Sequence, residues 1–193
     1  QRHEKGLLRK DGRPGFRTPS GELELYSYRL EQWGFDPLPF YSEPRPDSPI
    51  ATPETFKEYP LILGTGRRSI AFFHSEHRQI PWCREIDPDP IVEIHPETAK
   101  ELGIRNGDWV WIENRYGKCR RIARLTPIVH KKMVMIPHGW WLPELGPDRD
   151  FGVWDINVNQ LIPMGYTSDT GWGGAPYKCM ACKVYKAEKG CIN

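Results

Sequence analysis

Proline is the residue that most constrains this chain. It occurs 19 times in 193 residues, about twice its average usage, alongside 18 glycines. A proline has no amide donor and clashes with the preceding helical turn, so this density excludes a helix bundle or coiled coil. Pro37, Pro39, Pro44, Pro46, Pro49, Pro53 and Pro60 follow in quick succession. Such a run builds neither central strands nor long helices, and is expected to drape over a surface, its own or a neighbour's. What remains is a fold of short strands, many turns and loops packed with aromatics, among them eight tryptophans.

The strand signals start at Tyr59. Tyr59-Pro60-Leu61-Ile62-Leu63 and Ile91-Val92-Glu93-Ile94 read as short apolar strands, the first ended by Gly64-Thr65-Gly66-Arg67-Arg68. Residues 95–103 read as a short helix, with Pro96 at its first position and Gly103 just past its end. Asn106-Gly107 is a tight turn. Residues 108–114 and 118–125, joined by Arg115-Tyr116-Gly117, read as a hairpin. Met133–Ile136 is another strand, and Val184-Tyr185 belongs to a last one. Upstream, Glu22-Leu23-Glu24-Leu25-Tyr26 alternates as a half-buried strand does. Residues 69–90 read as irregular and 142–176 as loop-rich. Six or seven short strands with one or two short helices point to a mainly β fold, a closed barrel that hides its edges. Residues 1–58 read as an extended connecting segment and 59–193 as the barrel domain.

The charge balance narrows the partners. Net charge is +2, from 27 basic and 25 acidic residues spread evenly along the chain. No basic arm marks a nucleic-acid partner. No stretch approaches the roughly 18 apolar residues of a spanning helix, so direct membrane insertion is not expected. An anionic small ligand needs only two or three well-placed cations and stays open. The five cysteines are an odd number in no disulfide pattern, which fits a reducing environment. The sequence starts at Gln1 with neither an initiator Met nor a signal-peptide pattern, as expected of a processed chain or a piece of a longer one.

Several segments carry binding chemistry, each beside a plainer reading. Gly64-Thr65-Gly66-Arg67-Arg68 offers bare amides and arginines to an anion, or is simply a strand-ending turn. It lacks the third glycine of a dinucleotide fingerprint and the Lys-Ser/Thr of a P-loop. His74-Ser75-Glu76-His77-Arg78-Gln79 is a polar loop rather than a metal motif, since H-E-x-x-H and a third ligand are missing. His138-Gly139-Trp140-Trp141 can bring backbone against a flat ring, or pack a barrel rim. Asn157 and Asn159 can read a heterocycle edge or stabilise turns. Cys179-Met180-Ala181-Cys182, with Cys191 beyond it, lacks the fourth ligand of a zinc or iron–sulfur site. No catalytic constellation is visible. The residues alone favour a binding module over a complete enzyme.

Taken in order, these segments resemble one family. They run Tyr59–Leu63 with Thr65-Gly66-Arg67, then His74–Gln79, Ile91–Ala99, Leu102-Gly103-Ile104, Gly107-Asp108, His138–Trp141 and Asn159-Gln160-Leu161. The set is similar to the C-terminal molybdopterin-dinucleotide-binding domain of the dimethyl sulfoxide reductase family of molybdenum and tungsten oxidoreductases. Within it, the branch of thiosulfate and polysulfide reductases, acetylene hydratase and formate dehydrogenase-like proteins is most similar. The match spans about residues 59–185, and the lead-in from Gly15 to Gly21 resembles the stretch before that domain.

The resemblance implies a double-psi β-barrel. It implies a molybdopterin guanine dinucleotide carrying molybdenum or tungsten. The metal ligand and an iron–sulfur cluster would sit in upstream domains of the same catalytic subunit, with an iron–sulfur electron-transfer subunit as a further partner. The piece itself would be inactive alone. The residues it points to are Gly64, Thr65, Gly66 and Arg67 in the glycine–arginine loop, and His74, Ser75 and Arg78 in the next. To these it adds His138, Gly139 and Trp140, then Asn159, then Tyr177 and Lys178. The family's N-x-L-T pattern reads Asn159-Gln160-Leu161-Ile162 here, so a threonine contact is missing. No catalytic or metal-ligating residue is implied. Location would be cytoplasmic, or outside after twin-arginine export. The alternatives are a stand-alone barrel binding a nucleotide or protein, and a small metal protein using Cys179, Cys182 and Cys191.

Overall fold

The computed structural model describes residues 4–41, 52–66, 69–162 and 178–188. These divide into two compact units, residues 4–41 and the remainder.

The first unit is made of turns, one bridge between Leu7 and Gly15, and a single short helix, α1 (Tyr28–Gln32). Ser27 caps that helix by accepting from the Leu30 amide. The strand expected at Glu22–Tyr26 does not form: these residues run through bends, with Leu23 and Leu25 71 % and 79 % exposed. Alternation gives a strand a face but no neighbour to take its backbone groups. Here nearby side chains take polar groups instead: Thr18 donates to Glu22 O at 2.6 Å, and Ser20 N donates to Glu24 at 2.8 Å. A hollow of about 400 Å³ in this unit is lined by Arg9, Lys10, Arg17 and Arg29 among others. Part of its charge is already engaged, because Arg9 pairs with Asp11 and Arg17 Nε donates to Leu8 O.

The second unit is a closed six-stranded barrel. Its strands are β1 (Leu61–Gly64), β2 (Ile91–Ile94), β3 (Trp109–Asn114), β4 (Gly117–Leu125), β5 (Met133–Met135) and β6 (Met180–Lys186). Around the barrel the order is β1-β5-β2-β4-β3-β6, and β6 closes back on β1. The β1–β5 and β2–β4 pairs are parallel and the other four antiparallel. Short helices decorate it: α2 (Pro53–Glu58), α3 (Pro81–Ile86), α4 (Pro96–Glu101) and α5 (Val153–Ile156). α4 is the helix expected from the sequence. His95 Nδ1 accepts from Glu97 N at 3.2 Å, Pro96 opens it, and Gly103 follows at φ +67°. α3 lies in a stretch the sequence left irregular.

Alternation fills the barrel. On β3, Val110, Ile112 and Asn114 point inward while Trp109, Trp111 and Glu113 point out. Val92, Ile94, Val110, Ile112 and Val134 are wholly buried in one cluster with Leu63, Met180 and Cys182. Each such side chain contributes about 1.5–3 kcal/mol by leaving water. The buried amide of Asn114 is fully used: its Nδ2 donates to Leu161 O at 2.8 Å, and its Oδ1 accepts from Tyr116 N and Gly117 N. Among the described residues no helix is long and apolar enough to cross a membrane.

Strand directions decide where the loops gather. β1 and β5 run parallel, so Gly64-Thr65-Gly66 and Pro137–Trp141 leave the barrel at the same end. β6 is antiparallel to β1, with Leu63 opposite Met180, so Lys178 enters at that end too. The β3–β4 turn at Asn114–Gly117 also lies there, because β3 runs antiparallel to β6.

Candidate functional site

One end of the barrel therefore carries Gly64, Thr65, Gly66, His138, Gly139, Trp140 and Lys178. The Val158–Leu161 turn that holds Asn159 packs on the Asn114–Gly117 turn at the same end, through Asn114 and a close approach of Gly117 to Gln160 O. Asn159 is exposed, and its amide donates to Asn157 within its own turn. Thr65 is buried, and Gly66 adopts φ +62°, which favours glycine. Arg67 and Tyr177 lie outside the described residues.

The His74–Arg78 turn is clasped to the His138–Trp141 loop. Arg78 Nη2 donates to both His74 O and His138 O at 3.2 Å. His74 Nδ1 and His138 Nε2 share a hydrogen bond of 2.9 Å. Trp141 Nε1 donates to Ser75 O at 2.6 Å. Gly139, at φ +71°, lies so close to the turn that a Cβ there would come within 2.8 Å of His74 O and 2.9 Å of Ser75 N. His74 itself takes φ +52°, a conformation that side chains resist. A turn with unfavourable backbone at His74 and His77 is thus held to its neighbour loop by side-chain bonds.

Arg78 is the centre of this clasp. It is only 2 % exposed, and its guanidinium lies 3.8 Å from the Phe72 ring centroid and 4.3 Å from that of Trp140. Trp140 is wholly buried, edge-on to Phe72, so its ring forms the floor of the loops rather than an open stacking face. Burial pushes the Arg78 pKa down to about 10, with Arg121 and Arg84 adding to the effect and Asp87 opposing it. Even so, Arg78 stays cationic at neutral pH.

A second buried cation was not foreseen. Arg121 on β4 is 0 % exposed. It shares the inward face with Cys119 and Ala123, both in the barrel core. Its Nη2 donates to Pro137 O at 3.3 Å, one residue before the carbonyl that Arg78 holds. Burial lowers its pKa and raises that of the neighbouring Cys119 thiol. The outward neighbour Arg120 instead pairs with Asp155 of α5 at 3.0 Å. The signal in the sequence was positional: alternation places Arg121 on the same face as Cys119 and Ala123.

The donor chemistry has one sign. Among the described residues, the buried side-chain polar atoms that lack a hydrogen-bond partner are Arg78 Nε and Nη1, Arg120 Nε, Arg121 Nε and Nη1, and Trp140 Nε1. All are donors, and most lie under the clasped loops. These donors are buried and do not reach the surface, but the arginines keep positive charge beneath the loops, which suits an anionic group such as a pterin dinucleotide above them. Among the described residues no group of three or more His, Cys, Asp or Glu is arranged to hold a metal ion. Cys182 lies in the barrel core on β6 and Cys179 just before that strand, while Cys191 is outside the described residues.

Comparison with known proteins agrees with this chemistry. Residues 61–179 match the model of the Molydopterin dinucleotide binding domain. The chain is 44 % identical over 181 residues to dopamine dehydroxylase of Eggerthella lenta, covering 92 % of this chain and 17 % of that protein. It is 42 % identical over 164 residues to acetylene hydratase of Syntrophotalea acetylenica, covering 84 % and 22 %. The solved acetylene hydratase from Pelobacter acetylenicus superposes with a TM-score of 0.82 at 35 % identity, over 94 % of this chain and 25 % of that one. The chain thus spans about a quarter or less of the length of these relatives. With the double-psi barrel, the donor-lined loops and a family match over most of the barrel, this chain belongs to the molybdopterin-dinucleotide-binding domain family of the dimethyl sulfoxide reductase-type molybdenum and tungsten oxidoreductases.

Proposed function

We propose that this barrel is the part of a larger molybdenum or tungsten oxidoreductase catalytic subunit that seats a molybdopterin guanine dinucleotide at the loop-bearing end. The observation that carries this reading is the one-signed donor set under the clasped His74–Arg78 and His138–Trp141 loops. Gly64, Thr65 and Gly66 would receive the cofactor from one side, and Arg67, next in the chain, belongs to the same proposed set. His74, Ser75, His138 and Gly139 would receive it from the other, over the floor formed by Arg78 and Trp140. Asn159 and Lys178 would complete the rim, and Tyr177 belongs to the same proposed set. When bound, the metal–dithiolene centre supplies two-electron redox or oxygen-atom chemistry to the whole enzyme. The barrel's share is to hold and orient the dinucleotide and to keep positive potential against its charge. The metal ligand, an iron–sulfur cluster and an electron-transfer subunit belong to the same proposal, as parts outside this domain.

The test is direct. The full-length protein is purified anaerobically, its cofactor is released by acid and cleaved with phosphodiesterase, and the mononucleotide is identified chromatographically. GMP near one or two equivalents per chain is expected. CMP, AMP or no nucleotide would refute the assignment. Arg67→Ala is expected to lower nucleotide content while leaving the circular dichroism of the barrel unchanged.

A further inference from the structure

Charge in the first unit is balanced in number and segregated in space. Residues 4–41 carry six basic side chains (Lys5, Arg9, Lys10, Arg13, Arg17 and Arg29) and six acidic ones (Glu4, Asp11, Glu22, Glu24, Glu31 and Asp36). Four of the basic set line the hollow of about 400 Å³, whereas Asp11 is the one acidic residue among its described lining. Asp11 is already taken up by Arg9 at 2.8 Å. Glu24 and Glu31 accept from Ser20 N and Tyr26 Oη instead. Lys10 and Arg29 pair with no carboxylate among the described residues. Arg17 uses Nε on Leu8 O at 2.9 Å, which fixes its stem and leaves its fork unbonded among the described residues. Three uncompensated cations thus line one concavity, where like charges repel unless an anion joins them. The frame is stitched in advance: Leu8 N donates to Gly15 O, Gly15 N to Gly6 O, Phe16 N to Gly21 O, and Thr18 Oγ1 to Glu22 O. Gly21 is the single buried residue among the described residues of this unit. At φ +79° it favours glycine, and a Cβ there would strike Arg9 Nη1. The bare backbone lets the Arg9 side chain lie against it.

We infer that this hollow is a binding site for a small organic phosphate monoester, held by Arg17, Arg29 and Lys10. A phosphate monoester carries about −2 at neutral pH and three terminal oxygens, which suits two guanidinium forks and one ammonium. Phe16 and Pro19 supply an apolar part of the wall, against which the ester's organic body rests. A volume of about 400 Å³ falls in the usual range of small-molecule sites, about 300–1,000 Å³. The hydrogen-bonded frame argues for a small ligand over an acidic protein segment, because the concavity stands without a partner to shape it. The site lies wholly within residues 4–41, so it is separate from the barrel loops and does not depend on the cofactor reading.

The experiment titrates the full-length, cofactor-loaded protein with phenyl phosphate and with inorganic phosphate by calorimetry, in a buffer free of other oxyanions. Wild type is expected to take up one equivalent of phenyl phosphate more tightly than inorganic phosphate. Arg29→Gln is the informative variant, because Arg29 makes no ion pair whose loss would unfold the unit. It should weaken phenyl phosphate about 10-fold or more and melt at the wild-type temperature. Phe16→Ala should bring phenyl phosphate down to the affinity of inorganic phosphate. Lys100→Gln, an exposed lysine on α4, serves as the control for net charge and should leave both affinities unchanged. Wild-type affinity in Arg29→Gln overturns the inference, since the anion then binds elsewhere. So does failure of the wild-type protein to bind either probe, with a lower melting temperature in Arg29→Gln, which marks an acidic segment of the larger subunit as the occupant. So does loss of nucleotide from Arg29→Gln, which would make the hollow part of the cofactor site. If the protein carries no GMP-containing cofactor yet binds phenyl phosphate through Arg29, the cofactor reading fails and this one stands.

Discussion

Replacing Gly139 by Ala tests the clasp, because the structure separates two costs there. The first is conformational. At φ +71° an L side chain is strained by about 1–2 kcal/mol. The second is a collision: the new Cβ would lie 2.8 Å from His74 O, 2.9 Å from His74 C and 2.9 Å from Ser75 N. These are backbone atoms and cannot swing aside as a flexible side chain does. Moving them means pulling His74 O off Arg78 or breaking the His74–His138 bond. Overpacking of this kind costs about 1–3 kcal/mol. Gly103→Ala supplies the control, since its φ is +67° and a Cβ there meets nothing within 4 Å. The expected loss is therefore about 1–2 kcal/mol for Gly103→Ala and about 2–5 kcal/mol for Gly139→Ala. Denaturant midpoints give both values. Hydrogen exchange locates the damage, with faster exchange across residues 74–78 expected only for Gly139→Ala. Equal destabilisation by the two substitutions would show that the loops do not meet as described.

Asn114→Ala should destabilise the chain by about 2–4 kcal/mol in chemical denaturation, since it strands Leu161 O and the Tyr116 and Gly117 amides. A loss below about 1 kcal/mol would mean that water replaces the amide. Tyr185 gives a prediction at high pH. Burial and its 2.5 Å bond to Glu113 raise its pKa to about 12. A folded value above the unfolded value near 10 means that its contribution is complete below pH 10. That contribution is lost as pH rises from about 10 to about 12. Tyr185→Phe should flatten this alkaline decline, leaving the share from Lys183, whose ammonium Glu113 also holds above its usual pKa. An unchanged slope in the variant would refute the shift.

Local chemistry was the readable part of the sequence. Val110, Ile112 and Asn114 alternate with Trp109, Trp111 and Glu113, and that period alone makes a strand. Pro96 and Gly103 bracket α4 for equally local reasons. Pairing was not readable. Nothing in Leu61–Gly64 says that its neighbours are β5 and β6, yet that pairing alone brings Gly64–Gly66, His138 and Lys178 to one end. The same gap explains the strand expected at Glu22–Tyr26, where the pattern exists but no described residue pairs with it.

Arg121 shows where reading by type fails and reading by position succeeds. Arginine is almost never fully buried, so Lys118, Arg120, Arg121 and Arg124 look alike on composition. The pleat distinguishes them. Lys118, Arg120 and Arg124 alternate outward, and Arg120 and Arg124 meet Asp155 and Glu93. Arg121 falls on the face of Cys119 and Ala123 and so enters the barrel. A chain under selection for stability alone would place a hydrocarbon side chain there. One carrying a guanidinium, with a second under the next carbonyl, keeps positive charge beneath the His138–Trp141 loop. The cost of burial is thus borne beneath the end of the barrel proposed to seat the dinucleotide, and under that proposal stability and binding should separate on mutation there rather than fall together.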